Sequence, residues 1–299
     1  MQLELVDDSR PTSGTVGVPA APTRTLPTTV YLPPITEAAP LIVLAHGAGG
    51  APEKFTELAS YWSARGYVVA VPRFPLTNDQ VRRPVLAEFE EQGRDVRFVI
   101  DELVARGEAT TGELAGRVDP VRIGLFGLSL GSLTVWSAVF GGAGELAIDA
   151  MIQSDGTTLI TDERVGSIDF PVLVAHSDVD PIFAYPDVVA RYEQLPGSKY
   201  LLTLHGAAHA TVGENTVTPA DATYRETTTV FWDRTLGARP DSPFPPPIPG
   251  VTSFSDGTIR RRPARWRHFP QRSDSPPAQV PASPAIGLPA RWLRPSQVW

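Results

Sequence analysis

The chain has 299 residues, 42% hydrophobic and 20% charged, as in folded globular proteins with one large core or two modest ones. Its formal charge is −7, but the last 60 residues hold eight Arg and three Asp, so the first 239 residues carry −12, which disfavours nucleic acid and anionic lipid as partners. The chain has no cysteine, which excludes a disulfide framework, a thiolate metal site and a cysteine nucleophile.

Residues 1–25 are predicted to form an extended arm ahead of the folded domain. The first 15 residues contain neither a basic segment nor an apolar one, so no signal peptide is predicted. A cytoplasmic location is therefore the default expectation, and removal of a leader before this N-terminus would instead indicate secretion.

Short β-branched runs alternate with longer amphipathic stretches from residue 28 to residue 236. Several runs are apolar without alternation, as expected of strands that are covered on both faces. This pattern predicts an α/β fold with a mostly parallel central sheet of about eight strands and helices on both faces. The predicted strands are residues 28–33, 41–46, 67–72, 122–127, 148–153, 171–176 and 199–204, and the predicted helices are residues 53–65, 86–106, 132–140, 185–195 and 220–236.

A glycine-rich turn, His46-Gly47-Ala48-Gly49-Gly50, follows the second predicted strand. Its glycines allow backbone N–H groups to turn inward, which makes the turn a candidate source of donors for a developing negative charge. It lacks the Gly-Lys-Ser/Thr ending of a phosphate loop, and no G-x-G-x-x-G follows a strand. Nucleotide binding is therefore not predicted.

The sequence Gly127-Leu128-Ser129-Leu130-Gly131 fits G-x-S-x-G and lies between a predicted strand and a predicted helix. The bare pentapeptide is weak evidence, and its position gives it weight. A sharp turn there would expose the hydroxyl at the sheet edge, beside a helix N-terminus whose dipole favours negative charge. Ser129 is the predicted nucleophile.

Two further stretches bear on the surroundings of that serine. The uncharged residues 124–144 are long enough for a membrane span, but six glycines, three serines and a threonine argue against one, so no membrane span is predicted. Residues 154–170, between two predicted strands, are too few for a large helical lid. Little or no lid is expected.

A general base needs a carboxylate that fixes its tautomer and stabilises its charged form. Asp178 and Asp180 follow the predicted strand 171–176, and the Asp-Pro step places Asp180 in a turn just beyond the strand end. Asp180 is the favoured acid, with Asp178 and, after the preceding strand, Asp155 as alternatives.

The favoured base is His209, in the small-residue loop that follows the last predicted strand. His205 ends that strand and is the alternative, while His268 lies in the C-terminal tail and two further histidines end other strands. The i, i+4 spacing of His205 and His209 occurs in zinc sites, but no H-E-x-x-H glutamate lies between them, so no metal is predicted.

Donors for an oxyanion are assigned to the backbone N–H groups of Ala48 and Leu130. One donor must follow the nucleophile, and the other must come from the loop after the strand that ends at His46. His46, Gly47 and Leu128 are the candidates for lining the substrate pocket.

The predicted catalytic domain covers residues 26–239, and residues 240–299 form a tail. Fourteen of the 31 prolines fall in the tail, mixed with arginines. Proline at that density blocks helices and sheet ladders, which predicts an extended or disordered segment.

With these residues assembled, the chain resembles the α/β-hydrolase superfamily, in its esterase and lipase branch near dienelactone-hydrolase-like and platelet-activating-factor-acetylhydrolase-like proteins. The likeness covers about residues 26–236 and includes "LAHGAGG", "ARGYVVAVPRFPLTN", "GRDVRFVIDEL", "AGRVDPVRIGLFGLSLGS" and "LHGAAHA". It implies the α/β-hydrolase fold, with Ser129 as nucleophile, Asp180 as acid, His209 as base, and an oxyanion hole at Ala48 and Leu130.

The predicted function is that of a serine carboxylesterase that hydrolyses small to medium acyl esters through an acyl-enzyme on Ser129, with no cofactor. At the position just before the nucleophile, where many relatives carry a histidine or an aromatic residue, this chain has Leu128. An apolar residue there is expected to favour substrates with acyl chains over substrates with charged groups. The alternatives are another acyl substrate for the same groups, namely a lactone, a thioester, a phospholipid acetyl ester or a polyester, or a non-catalytic binding protein that kept the fold. Oligomeric state is not predicted.

Overall fold

The strands of the protein, seen in a computed structural model, form a single sheet. The structure describes residues 1–141, 146–158, 164, 166–215, 217–237 and 239–257. The strands are β1 (Gln2–Asp7), β2 (Arg24–Tyr31), β3 (Ala39–Ala45), β4 (Val68–Pro72), β5 (Val118–Leu128), β6 (Ala150–Ser154), β7 (Val172–Ser177), β8 (Lys199–Leu204) and β9 (Thr252–Asp256).

The sheet has the order β1-β2-β4-β3-β5-β6-β7-β8-β9 and mixed orientation. Its six central strands, from β4 to β8, run parallel to one another, whereas β2 pairs antiparallel with β4 and with β1, and β9 pairs antiparallel with β8. The prediction of an α/β protein with a mostly parallel sheet is confirmed, and the described residues contribute nine strands to it in place of about eight.

The two edges of the sheet lie in segments that the sequence analysis placed outside the domain. β1 belongs to the predicted arm, residues 1–25, and β9 to the predicted tail, residues 240–299, so the sheet extends beyond the predicted domain at both ends. β1 alternates exposed and buried positions, and β9 has one apolar side chain, so neither carries the apolar run that marked the central strands. Residues 258–299 lie outside the described residues.

Among the described residues, five α-helices flank the sheet, and they cover both of its faces. Their bounds are α1 (Thr56–Ser63), α2 (Phe89–Glu108), α3 (Leu130–Phe140), α4 (Tyr185–Gln194) and α5 (Asp221–Thr235), with two short 3₁₀ helices at Pro52–Phe55 and Leu86–Glu88. Buried side chains of α2, α3 and α4 join the core on one face, and those of α1 and α5 join the core on the other.

The central strand β3 shows why these sequences lack polar alternation. Leu41 and Val43 point into one core while Ile42 and Leu44 point into the other, and all four are fully buried. A parallel strand between two layers of helices has no solvent face, so every position is apolar.

The parallel arrangement brings the ends of the central strands to one edge of the sheet, where loops from β3, β5, β6, β7 and β8 meet. Ligand sites in open α/β sheets form outside the carboxyl ends of the strands. Each of the predicted site residues lies at or just beyond one of these five strand ends.

The structure bears on part of two further predictions, that residues 124–144 do not span a membrane and that residues 154–170 form little or no lid. Residues 124–128 belong to β5 and residues 130–140 to α3, and no helix among the described residues has the length and apolarity needed to cross a bilayer. Residues 159–163 and 165, within the segment expected to be too short for a lid, lie outside the described residues.

Candidate active site

Ser129 occupies the sharp turn between β5 and α3. Its backbone has φ 57° and ψ −119°, and it is the N-cap residue of α3. A non-glycine residue at positive φ has a strained backbone. Such strain is typical of residues at functional sites. The turn places the hydroxyl at the sheet edge, as the sequence pattern predicted.

The glycines on either side of Ser129 have a packing role. A Cβ on Gly131 would lie 2.0 Å from the carbonyl oxygen of Ala45, and a Cβ on Gly127 would lie 2.3 Å from the carbonyl oxygen of Gly131. Either distance is far inside van der Waals contact, so strand and helix approach this closely only because both residues lack side chains. The G-x-S-x-G spacing follows from this close approach.

His209 lies against Ser129, as predicted for the base. Its Nε2 is 2.8 Å from the Ser129 Oγ, and its Nδ1 is 2.7 Å from the Asp180 Oδ2. An ionised carboxylate only accepts hydrogen bonds, so Nδ1–H donates to Asp180 and Nε2 is left to accept the proton of the serine hydroxyl. The Phe183 ring packs on the imidazole with centroids 5.9 Å apart.

Asp180, the favoured acid, is buried in the turn that follows β7. Its Oδ2 accepts from His209, and its Oδ1 accepts from the backbone N–H groups of Ile182 at 2.7 Å and Phe183 at 3.0 Å. Burial by itself raises the pKa of Asp180, but the hydrogen bond and charge of His209 and the two backbone donors outweigh burial and lower the pKa below its ordinary value. The carboxylate is therefore ionised when it faces the imidazole.

The two alternatives, Asp178 and His205, pair with each other. The His205 Nδ1 is 2.7 Å from the Asp178 Oδ2, and the Gly206 N–H donates to the Asp178 Oδ1 at 2.8 Å. The Gly206 bond, aided by His205, lowers the pKa of Asp178. This second pair is partly exposed and links the start of the two loops that carry Asp180 and His209.

Asp155, the third candidate acid, is fully buried after β6 and does not bond the His209 ring. Its carboxylate oxygens accept from the backbone N–H groups of Ser177 and Ala210 instead. The Nδ1 of His209 is occupied by Asp180, so of the three candidate acids the structure brings only Asp180 into line with His209 and Ser129.

The glycine-rich turn after β3 lies directly beside the serine. A Cβ on Gly47 would be 3.0 Å from the Ser129 Cβ and 3.5 Å from its Oγ, so a larger residue there would press on the serine. The Gly49 and Gly50 amides donate to Thr77 and Gly47 carbonyls. Among the described residues no acceptor is found for the Ala48 amide.

The Leu130 amide, the other predicted oxyanion donor, is the first of α3. A helix leaves the N–H groups of its first turn without intrahelical acceptors and places a positive partial charge there. Both predicted donors thus come from segments that touch Ser129.

Two of the three predicted pocket residues do not line an opening. His46 is fully buried, with Nδ1–H donating to the Gly47 carbonyl at 2.7 Å and Nε2 accepting from the Phe74 N–H at 3.2 Å. Leu128 is fully buried in the core on the α1 side of the sheet. Both side chains are thus enclosed by protein atoms, since β5 alternates its side chains and Leu128 points into a core, whereas Gly47 contacts the serine.

A buried group of acids and histidine surrounds the acid loop. Atoms of Asp155, His176 and Asp180 lie within 4.8 Å of one another, the arrangement of a possible metal site. The His176 Nε2–H donates to the Phe183 carbonyl at 2.9 Å, and both oxygens of each carboxylate already accept N–H bonds. The two carboxylates are thus hydrogen-bonded to the loops around them, and the group supports the site. The sequence analysis noted His176 only as the end of a strand.

The loop that carries His209 is held at its far end by Asn215, which sequence analysis missed. Its Oδ1 accepts from the Glu57 N–H at 3.0 Å at the start of α1, and its side-chain amide donates to the Glu53 carbonyl at 2.7 Å. The contact spans about 160 positions of sequence and has no local signal. It joins the histidine loop to the helix that follows the glycine-rich turn.

No protein-family model matches the chain, and no curated protein matches it. The function must therefore be argued from the geometry around Ser129.

Proposed function

We propose that the protein is a serine hydrolase that cleaves carboxylic esters through an acyl-enzyme on Ser129. The observation that carries the proposal is the line of hydrogen bonds from the Ser129 Oγ through His209 to Asp180, at 2.8 and 2.7 Å, on a serine with positive φ. A serine hydroxyl is a weak nucleophile until a base accepts its proton, and this arrangement supplies the base and its orienting carboxylate.

The architecture supports assignment to the α/β-hydrolase fold. The serine follows β5, the acid follows β7 and the base follows β8, so the three residues occur in the order Ser, Asp, His along the chain. That order, with the serine on a strand-to-helix turn, is the one found in α/β-hydrolases. Fold alone does not define the reaction, so the proposal rests on the site.

In the proposed acylation step, the Ser129 oxygen attacks the ester carbonyl carbon while its proton passes to the His209 Nε2. The carbonyl oxygen becomes an oxyanion, and the Ala48 and Leu130 N–H groups stabilise it. The tetrahedral intermediate then collapses: the bond to the alcohol breaks, and the alcohol oxygen takes the proton from His209. Asp180 stays ionised and stabilises the imidazolium that exists between these two proton transfers.

Deacylation repeats the sequence with water. His209 removes a proton from a water molecule, whose oxygen attacks the acyl carbon, and the second oxyanion uses the same two backbone donors. Collapse returns the proton to the Ser129 oxygen and releases the carboxylic acid. Every proton transfer in the two steps uses the His209 Nε2, so the proposed mechanism needs no cofactor.

The proposal is tested by release of 4-nitrophenol from its acetate, butyrate and octanoate esters, with a lactone and a thioester in parallel. Ser129→Ala is expected to lose a factor of at least about 10⁴ in kcat, because nucleophile and base act as a unit. Ser137→Ala, which removes a hydroxyl from the same helix away from His209, is the matched control and is expected to keep wild-type activity. Equal turnover by Ser129→Ala, or none of these substrates cleaved by folded wild type, would contradict the proposal.

A further inference from the structure

Residues 154–156, at the end of β6, contact the serine turn, the Asp180 loop and the His209 loop. The Ser154 carbonyl accepts from the Ser129 N–H at 2.9 Å. The next residue, Asp155, is fully buried and has φ 39°, an uncommon conformation for a residue with a side chain. A Cβ on the following Gly156 would lie 2.9 Å from the Ser129 carbonyl. This segment is thus packed against the serine turn and held in an unusual conformation.

The Asp155 carboxylate divides its two oxygens between two other loops. Oδ1 accepts from the Ser177 N–H at 2.9 Å, three residues before Asp180, and Oδ2 accepts from the Ala210 N–H at 3.0 Å, one residue after His209. Ala210 also has a positive φ, 57°, so the chain next to the base is held in a conformation that needs outside support.

Within the part of the chain that the structure describes, Asp155 is the acceptor found for both amides. The His176 ring packs between the two acids, with Nδ1 3.8 Å from the Asp155 Oδ1 and Nε2 3.7 Å from the Asp180 Oδ2. Its Nε2–H is used by the Phe183 carbonyl, and its buried Nδ1 has no hydrogen-bond partner among the described residues. The imidazole fills the space between the carboxylates but leaves the loop amides to Asp155.

We propose that Asp155 is a positioning residue for the chemistry of Ser129: its one carboxylate fixes the His209 loop to the Asp180 loop and so holds the imidazole in line with the serine. The inference rests on the proposed ester hydrolysis. The hydrogen bonds of Asp155 go to the backbone of residues 177 and 210, so it positions the imidazole through that backbone, while its charge also attracts His209.

The ionised form is the one that suits this role, because each oxygen then accepts one N–H. Asp155→Asn has the same shape but turns an NH₂ group toward one of the two amides, which leaves two donors facing each other. The loop is then free to shift, and a displacement of about 1 Å in a catalytic group is enough to cost about 100-fold in rate.

The experiment compares kcat and KM of wild type, Asp155→Asn and Asp178→Asn with 4-nitrophenyl butyrate. Asp155→Asn is expected to lower kcat about 100-fold with KM unchanged, because the loop moves and the substrate surface does not. Asp178→Asn is the matched control: it removes a carboxylate from the same two loops, but its contacts stop at Gly206, so kcat is expected to stay near wild type. Melting temperatures of all three proteins report whether each is folded.

Unchanged kcat in folded Asp155→Asn, or an equal loss in Asp178→Asn, would overturn the positioning role while leaving the esterase intact. Wild type that cleaves no ester would instead overturn the proposed function.

Amide exchange in the wild type tests the tether without any variant or substrate, which covers the case in which Asp155→Asn fails to fold. The Ala210 and Ser177 amides are expected to exchange slowly, and exchange of Ala210 as fast as an exposed loop amide would overturn the tether.

Discussion

The protonation states of the titratable side chains around Ser129 depend on the hydrogen bonds that each side chain makes and on its burial. Asp180 accepts three N–H bonds, and together with the charge of His209 these outweigh burial and lower its pKa, whereas burial dominates at Asp155 and raises its pKa. His46 is an imidazole without an acid partner, and burial lowers its pKa to about 4. One sheet edge thus holds an ionised acid, Asp180, which bonds the histidine beside Ser129, and a neutral histidine, His46, which precedes the glycine beside Ser129.

His46 is expected to make the protein less stable as the pH falls from 7 to 4. The unfolded chain takes up a proton on this histidine near pH 6.5, but the folded chain does so only near pH 4, where a second ring N–H would face the Phe74 N–H. The folded state therefore binds fewer protons in this window, and the free energy of unfolding falls by about 3 kcal/mol across it.

The measurement for His46 is urea denaturation between pH 7 and pH 4 for wild type and His46→Gln. The variant has no group that titrates at this position, so its stability is expected to fall less steeply with decreasing pH. Parallel curves for the two proteins would show that the folded state protonates His46 as readily as the unfolded chain does.

At the scale of elements, the site depends on how closely α3 approaches β3 and β5. The helix N-terminus supplies the Leu130 amide, and it reaches the sheet edge only because Gly127 and Gly131 present no side chain to the backbone. The Ser132 hydroxyl donates to the Gly127 carbonyl at 2.8 Å and strengthens the same turn. Geometry of the elements, more than any one side chain, therefore sets the position of Ser129.

Gly131→Ala is expected to reduce both stability and turnover. The new methyl carbon would start 2.0 Å from the Ala45 carbonyl oxygen, so α3 must move away from β3. Overpacking of this kind costs roughly 1–3 kcal/mol or more in unfolding free energy, and the shift carries Ser129 and the Leu130 amide with it.

Denaturation and kcat of Gly131→Ala check this expectation. Gly66→Ala is the control, since its Cβ meets nothing within 4 Å and it lies in the turn after α1; it is expected to lose some stability to backbone strain at φ 103° but to keep kcat. A Gly131→Ala protein with wild-type stability and kcat would mean that the helix has room that the structure does not show.

Which elements could be predicted from the sequence depended on where their stabilisation comes from. The seven residues of β3 are all buried, and their unbroken apolar run predicts the strand from sequence alone. By contrast, β9 has one aromatic residue and forms a strand because it pairs with β8. The site divides in the same way. Ser129 follows from a local motif, but the alternatives Asp178 and His205 could be separated from Asp180 and His209 only by three-dimensional pairing, and the tethers at Asp155 and Asn215 join residues distant in sequence.

At the scale of the whole molecule, the parallel core is closed at each side by antiparallel strands from the two ends of the described chain. β8 has no exposed position, and β9 pairs with it through five residues. In the segment that leads to β9, the centroid of the Phe244 ring lies 5.1 Å from that of Tyr200 and 4.5 Å from that of Phe254. Just before β9, the Val251 carbonyl accepts from the His205 N–H at 2.8 Å. Residues 240–257 therefore support both the sheet edge and the start of the histidine loop.

A chain that ends at residue 239 is expected to be less stable than one that ends at residue 257. The shorter chain loses the aromatic contacts of Phe244 and Phe254, worth about 2 kcal/mol or more together with the lost pairing. It also leaves the apolar strand β8 as an open edge, which favours association between chains. Urea denaturation of the two truncated proteins, with light scattering to detect association, measures both effects, and kcat reports on the histidine loop. Equal unfolding free energies and equal scattering would mean that the sheet is complete at β8, in which case the boundary at residue 239 that the proline content suggests would be the physical one.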